Sequence, residues 1–425
     1  MRTMTLSKLL IGSLLSLSFF RFSFYGTLFL LEIFLLIVVF HSLLFRKRDE
    51  NLDSEPLGSP ESNSFRKKVT HYLLLLAIIS IIGGVFRGAT FTDQIKGSAL
   101  VFFTLINYLG LRNLTKLRAD LVTTAFIGFA LSGFIGFVVQ PNEYARTEVW
   151  KFGFSYGLTY LIVIFLMLQN RFRRKPYQYI LISYGFLALF LGTRSLGLCI
   201  ILTGSFLLIG SRKIESRDRV VETPNFIKTL GALTLISILA LATSSIYGIA
   251  AKQGFLGEES REQYIQQGTG DYGPIIGGRT EPIIALFAVS QSPIFGHGYG
   301  ADSEIEMYEK ANKFFQKHNY RVNIQLIQSR NEGRIPQHSY ILNYWISYGI
   351  VGLFFWIFIF RALLRAAIKD IWSSSGTSPL ILYVTILTSW NMLFSPFGAI
   401  VRLEFALILV LVESIFANRK IGFTL

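Results

Sequence analysis

Cysteine is nearly absent from this chain: one in 425 residues, Cys199, inside an apolar run. That excludes an intrachain disulfide and any cysteine-based metal site. Acidic residues are scarce as well, 26 Asp and Glu against 41 Lys and Arg, for a formal charge of +15. The five histidines include His297, His318 and His338, whose wide spacing has no metal-ligand pattern, so neither a metal nor another cofactor is implied. No small-residue cleavage site follows the apolar residues 6–20, and another apolar run begins at once, so this stretch reads as a retained first span. No internal repeat, inverted halves or low-complexity tract is visible, which weighs against a transporter built from inverted repeats.

What the chain has is apolar sequence: 52% hydrophobic residues, 15% aromatic, mean hydropathy +0.48. This composition fits an all-α, polytopic membrane protein folded as a single transmembrane domain over 1–425. Twelve apolar segments can be marked, at about 6–20, 25–45, 70–86, 95–111, 120–140, 153–170, 177–192, 195–210, 229–249, 339–361, 379–394 and 398–416. A span takes roughly 20 residues, fewer where a helix is recessed.

In a soluble chain the basic excess would suggest nucleic acid. Here the basic clusters sit in short loops between apolar runs, which is a topological signal; it implies membrane lipids and no nucleic acid as partners. Arg2 with Lys8, residues 46–48 with 66–68, Arg112 with Lys116 and Arg118, residues 171–175 and 212–219, Arg361 with Arg365 and Lys369, and Arg419 with Lys420 all fall on one side of a twelve-span arrangement. The positive-inside rule then puts both termini in the cytoplasm and the one long polar stretch, 251–338, outside. Residues 46–68, rich in Ser, Pro, Glu and Asn, read as a cytoplasmic linker. Arg87 and Lys96, flanking an outer loop, suit lipid phosphates.

Several residues could carry chemistry. Arg194 lies in the turn 191–197 between two segments of roughly 15 apolar residues, about 22 Å of helix against a hydrocarbon core of roughly 30 Å, so the turn is recessed. An arginine there either serves a site or snorkels to the headgroups. Arg279 follows Gly277 and Gly278 and precedes an apolar stretch, 282–289, too short to span and suited to an interfacial helix. A helix start and a guanidinium both favour phosphate oxygens; the alternative is a surface pair with Glu281. His338, just before the tenth apolar segment, can accept a proton from a hydroxyl or donate to a phosphate, or can simply cap the helix.

PIFGHGYG at 293–300 is a weak match to a nucleotide-binding glycine run and reads better as a tight turn, with His297 a secondary candidate. Residues 301–318 read as an amphipathic helix on Ile305, Tyr308, Ala311 and Phe315, a cover over the site. Glu32, Asn107, Asn343, Asn391, Arg402 and Glu404 are polar residues within apolar segments; Arg402 and Glu404 either pair with each other or help to bind an anion.

Taken together, G-T-R-S at 192–195, G-R at 278–279, P-I-F-G-H-G-Y-G at 293–300 and H-S at 338–339, in that order among some twelve apolar segments, resemble the O-antigen ligase and O-antigen polymerase superfamily of bacterial envelope proteins. The pattern covers roughly residues 190–352. It departs from many ligases in having Glu281 and Pro282 where an aromatic follows the loop arginine, and His338–Ser339 where His-Asn is common.

The resemblance implies a GT-C-like glycosyltransferase of the bacterial inner membrane with its active face in the periplasm. The donor would be a glycan on undecaprenyl pyrophosphate, and the acceptor lipid A-core or another lipid-linked glycan. The transfer would be inverting and metal-free. Arg194 and Arg279 would clamp the pyrophosphate and His338 would orient or deprotonate the acceptor hydroxyl. A repeat-unit polymerase is the alternative within the class, and a membrane transporter, of bicarbonate for instance, the alternative outside it.

Overall fold

The computed structural model describes residues 2–24, 26–45, 59–86, 90–141, 143–169, 175–214, 248–255, 257–268, 270–271, 280–300, 305–320, 335–336, 338–373 and 378–417. Helix dominates these residues; the sheet among them is one two-stranded hairpin. Leu-, Ile- and Phe-rich runs without internal proline let each helix satisfy its own backbone groups, as apolar surroundings demand. Pro60, Pro176, Pro282 and Pro379 stand in first turns, where a missing N–H costs nothing. Three helices are long and apolar enough to cross a membrane by length and composition: Ala119–Val139, Val149–Leu168 and Ile350–Asp370.

In chain order, α1 (Arg2–Ser16) leads into the hairpin β1 (Arg21–Phe24) and β2 (Gly26–Phe29), paired antiparallel from Arg21 with Phe29 to Phe24 with Gly26. Then come α2 (Leu30–Phe45), α3 (Pro60–Phe86), α4 (Phe91–Thr115), α5 (Ala119–Val139) and α6 (Glu143–Thr147). A π-helical turn, Val149–Phe154, runs on into α7 (Ser155–Leu168), followed by α8 (Lys175–Phe190) and α9 (Arg194–Ile214). The described helices of the polar stretch are α10 (Glu258–Gln267), α11 (Thr280–Gln291) and α12 (Ile305–Lys317). The chain returns to apolar helices with α13 (Tyr340–Tyr348), α14 (Ile350–Ser373), α15 (Ser378–Phe394) and α16 (Ala399–Phe416).

The twelve apolar segments do not map one to one onto these helices. The segment 25–45 begins as a β-strand, and residues 60–68 of the expected linker are the start of α3, with Ser62 and Phe65 buried; 46–58 lie outside the described residues. Most of 229–249 also lies outside them. The segment 339–361 is broken at Gly349, which has φ +66° and caps α13. The cause is tertiary: a Cβ at Gly349 would overlap the Ile294 carbonyl, and Ile350 donates to that same oxygen at 3.0 Å. Nine-residue α13 is about 13 Å long, too short to cross, and α14 is the helix of the two that is long and apolar enough to do so.

Two charge pairs tie α16 to its neighbours. Glu32 of α2 takes Arg402 of α16 in a two-pronged ion pair, and also accepts from Asn107 Nδ2 at 2.9 Å and the Phe29 N–H at 3.0 Å. The Arg402 guanidinium also donates to the Thr27 carbonyl at 2.9 Å and lies over the Phe103 ring, 4.9 Å from its centre. Further along, Glu413 of α16 accepts from Arg112 Nε at 2.9 Å, Tyr108 Oη at 2.7 Å and Ser62 Oγ at 3.3 Å.

The bundle has two distinct ends. At one, Lys8 meets Asp120 at 3.5 Å, Arg365 and Lys369 meet Glu61 at 3.0 and 2.9 Å, and Ser59 donates to the Phe416 carbonyl at 2.5 Å. At the other, Arg21 N–H reaches Gln140 at 3.4 Å, Trp150 reaches Thr193 at 3.2 Å and Ser339 reaches the Met392 carbonyl at 2.7 Å. The described residues of 280–300 join this second end: Tyr299 packs on Gly97 of α4, and Trp345 of α13 donates to the Pro293 carbonyl at 2.7 Å. We call them the basic end and the loop end.

Candidate functional site

Arg194 is the first residue of α9, at the loop end. Gly192 (φ +87°) ends α8 in a Schellman turn: Thr193 N–H reaches back to the Ala188 carbonyl at 3.0 Å and Gly192 N–H to Leu189 at 3.1 Å. Thr193 Oγ1 donates to Ala188 O at 2.7 Å and accepts from Trp150 Nε1 at 3.2 Å, and Thr193 O receives the Gly197 N–H at 2.9 Å as α9 begins. A Cβ on Gly197 would stand 2.7 Å from the Gly185 carbonyl, so only small residues let α8 and α9 pack this closely. The half-buried Arg194 is thus fixed by backbone geometry at a tight helical hairpin.

Ser195, next in sequence, has its side chain beside that of Tyr156 of α7. Tyr156 is within electrostatic reach of Tyr340, the first residue of α13, and of Glu404 on α16. The Tyr340 side chain in turn lies beside that of Asn391 of α15, whose Oδ1 accepts from Ser395 Oγ at 2.8 Å. One polar seam therefore runs from the Arg194 turn across α7 to the start of α13.

His338 is exposed at the opening of that seam. It does not cap the helix. Ser339 does, accepting the Leu342 N–H at 3.1 Å while donating to Met392 O at 2.7 Å. The imidazole is left outside the cap, two residues from Tyr340.

Arg279 falls within 272–279, outside the described residues. Glu281 is half-buried in the first turn of α11. α11 and α12 do form, and they bury Ile284, Ala285, Ala288 and Val289 against Met307, Tyr308, Ala311 and Phe315. The glycine run between them is a turn, with Gly296, Gly298 and Gly300 all at positive φ. His297 is tied into it: its Nε2 lies 2.7 Å from Ala288 O, and its N–H bonds the Ile346 carbonyl. That makes His297 a strut between α11 and α13.

Arg402 pairs with Glu32 and not with Glu404. No known protein family matches the chain, and no curated protein matches it. Among the described residues no three His, Cys, Asp or Glu side chains gather as a metal cluster.

The sequence reading missed a tyrosine cage around Glu404. Tyr160 donates to Glu404 Oε1 at 2.5 Å, and the buried rings of Tyr160 and Tyr383 meet edge to face, centres 5.3 Å apart. Tyr340 and Tyr383 both lie within electrostatic reach of the carboxylate. The available signal was tyrosine at one-turn spacing inside apolar runs: 156 and 160, then 340, 344 and 348.

Away from the apolar helices, the carboxyl of Asp271 accepts from Asn319 Nδ2 at 3.0 Å and lies 3.0 Å from His318 Nδ1. These contacts, the Asn319 amide first, hold it below the usual carboxylate range.

Proposed function

We propose that this chain is a glycosyltransferase of the bacterial inner membrane that moves a glycan from undecaprenyl pyrophosphate to lipid A-core. On this reading the loop end faces the periplasm, both termini are cytoplasmic, and the architecture is GT-C-like with about twelve crossings. The observation that carries it is the seam: a fixed arginine, Arg194, and an uncapped imidazole, His338, lie at the same end of the bundle beside a polar, hydroxyl-lined track.

The chemistry follows from charge. As the glycosidic bond to the pyrophosphate breaks, negative charge grows on the leaving group. Guanidinium forks placed there lower the barrier without a nucleotide or a metal. Arg194 takes that role together with Arg279. His338 takes or orients the proton of the attacking hydroxyl. Ser339 is compatible with the reading: it caps α13, and Ser and Asn are both good helix caps, so the departure from His-Asn keeps a capping residue after His338.

Single Arg194→Ala, Arg279→Ala and His338→Ala variants, assayed with purified protein and lipid-linked donor, test this. Near wild-type turnover in folded Arg194 and Arg279 variants sinks the clamp. Arg194→Lys should remain impaired, because lysine lacks the planar fork. In a deletion strain, lost capping with lipid-linked polymer retained means ligase. Lost long chains with one capped unit retained means polymerase.

A further inference from the structure

Glu404 is a carboxylate in an apolar helix whose hydrogen-bond partner among the described residues is one phenol, Tyr160. It lies six residues below the Gly398 cap, about 9 Å into the bundle from the loop end. A charge at such depth is expensive unless paired, and by default it marks a site. Glu404 is only half-buried, as are Asn391, Ser195 and Arg194, so the seam keeps access along this line.

A second observation points the same way. The fully buried Tyr383 hydroxyl, within electrostatic reach of Glu404, has no hydrogen-bond partner among the described residues. Buried hydroxyls are normally paired, and an orphan one calls for a ligand or water. An anionic pyrophosphate would be repelled by Glu404. A neutral glycan, rich in hydroxyl donors and with C–H faces for aromatic rings, matches a carboxylate framed by Tyr160, Tyr340 and Tyr383.

We infer that Glu404 and Tyr383 form the acceptor-glycan subsite, the carboxylate accepting and the phenol completing hydrogen bonds from acceptor hydroxyls. This rests on the glycosyltransferase reading. It divides the seam into an anion end at Arg194 and a hydroxyl end at Glu404.

The test is direct binding to the full-length protein in nanodiscs, with three probes: phosphate-free core oligosaccharide, free repeat-unit oligosaccharide, and undecaprenyl pyrophosphate alone. Glu404→Gln should weaken binding of one phosphate-free glycan about tenfold or more, and Tyr383→Phe about three- to tenfold, with undecaprenyl pyrophosphate affinity unchanged. Which glycan responds names the acceptor. Tyr383→Phe removes one unpaired oxygen, so a purely structural hydroxyl predicts neither a binding change nor a lower melting temperature. The inference fails if wild-type protein binds neither glycan, if both variants bind like wild type, or if glycan and lipid affinities fall together with thermal stability. If wild-type protein shows Glu404-dependent glycan binding but never transfers from donor, the transferase reading falls and the glycan subsite stands.

Discussion

Glu32 and Glu404 both bring a carboxylate into the loop end of the bundle, and their surroundings differ. Glu32 has both oxygens filled: the Arg402 fork, the Asn107 amide and the Phe29 N–H. Glu404, two residues after Arg402, has Tyr160 alone among the described residues, beside the unpaired Tyr383 hydroxyl. A saturated buried charge pins α2, α4 and α16 together. An unsaturated one on α16 is available to something that arrives. The difference separates scaffold from site more sharply than the presence of charge does.

The comparison breaks first at Arg402. Arg402→Ala leaves Glu32 buried and uncompensated, which should cost about 3–5 kcal/mol of stability, read as a fall in thermal unfolding temperature in nanodiscs. Replacing Glu32 and Arg402 together by apolar residues of similar size should recover most of that loss. Glu404→Gln keeps an oxygen for Tyr160 and should cost under about 1 kcal/mol. If Glu404→Gln destabilises as much as Arg402→Ala, the two carboxylates do the same job and the distinction is wrong.

Gly349→Ala should rank next. The position combines φ +66° with a Cβ overlapping the Ile294 carbonyl, so strain and overpacking together should cost about 2–3 kcal/mol. The damage should appear locally. Residues 293–297 would leave the α13–α14 junction, and the amides of 294–297 would exchange faster with solvent while those of α5 and α7 keep their protection.

That junction also shows what the sequence could and could not reveal. The α12 helix was legible because Tyr308, Ala311 and Phe315 recur at helical spacing, and the 296–300 turn because glycine punctuates it. Both are local signals. The break at Gly349 was not legible, since 339–361 reads as one apolar run and the break is imposed by Ile294 from a distant segment. For Arg402 the sequence leaves open a pair with its neighbour Glu404 or a bound anion, whereas its partner, Glu32, lies 370 residues earlier. The hairpin at Arg21–Phe29 hid in a phenylalanine-rich stretch. Hydropathy located the apolar segments but gave no account of which helices they pack against, so the Glu404 cage, assembled from α7, α13, α15 and α16, had no linear signature.

Gly192→Ala tests the anion end of the seam more gently. A Cβ there meets nothing within 4 Å, so the cost is backbone strain at φ +87°, about 1 kcal/mol. Because the Schellman turn aims Arg194, transfer activity should fall well beyond what that small loss of stability explains. Activity that tracks stability alone would mean the turn does not position the guanidinium.

The smallest effect is expected where charge is neither buried nor in the seam. Asp271 ties the end of α12 through Asn319 and His318, and these contacts hold its carboxyl below the usual range. A carboxyl with a depressed folded pKa contributes above its ordinary pKa of about 3.9, and the contribution disappears as pH falls through the lower folded value. The clip should therefore be whole at neutral pH and open only in acid, below the ordinary aspartate range. Asp271 is exposed, so opening should release residues 318–320 without unfolding the bundle. Hydrogen exchange of the Asp271 amide, which donates to His318 O at 3.0 Å, reports it directly. Asp271→Asn should give at neutral pH the low protection, relative to the intrinsic exchange rate at each pH, that the wild type shows only in acid. Wild-type protection that does not change with pH would show that the carboxylate charge does not hold the clip.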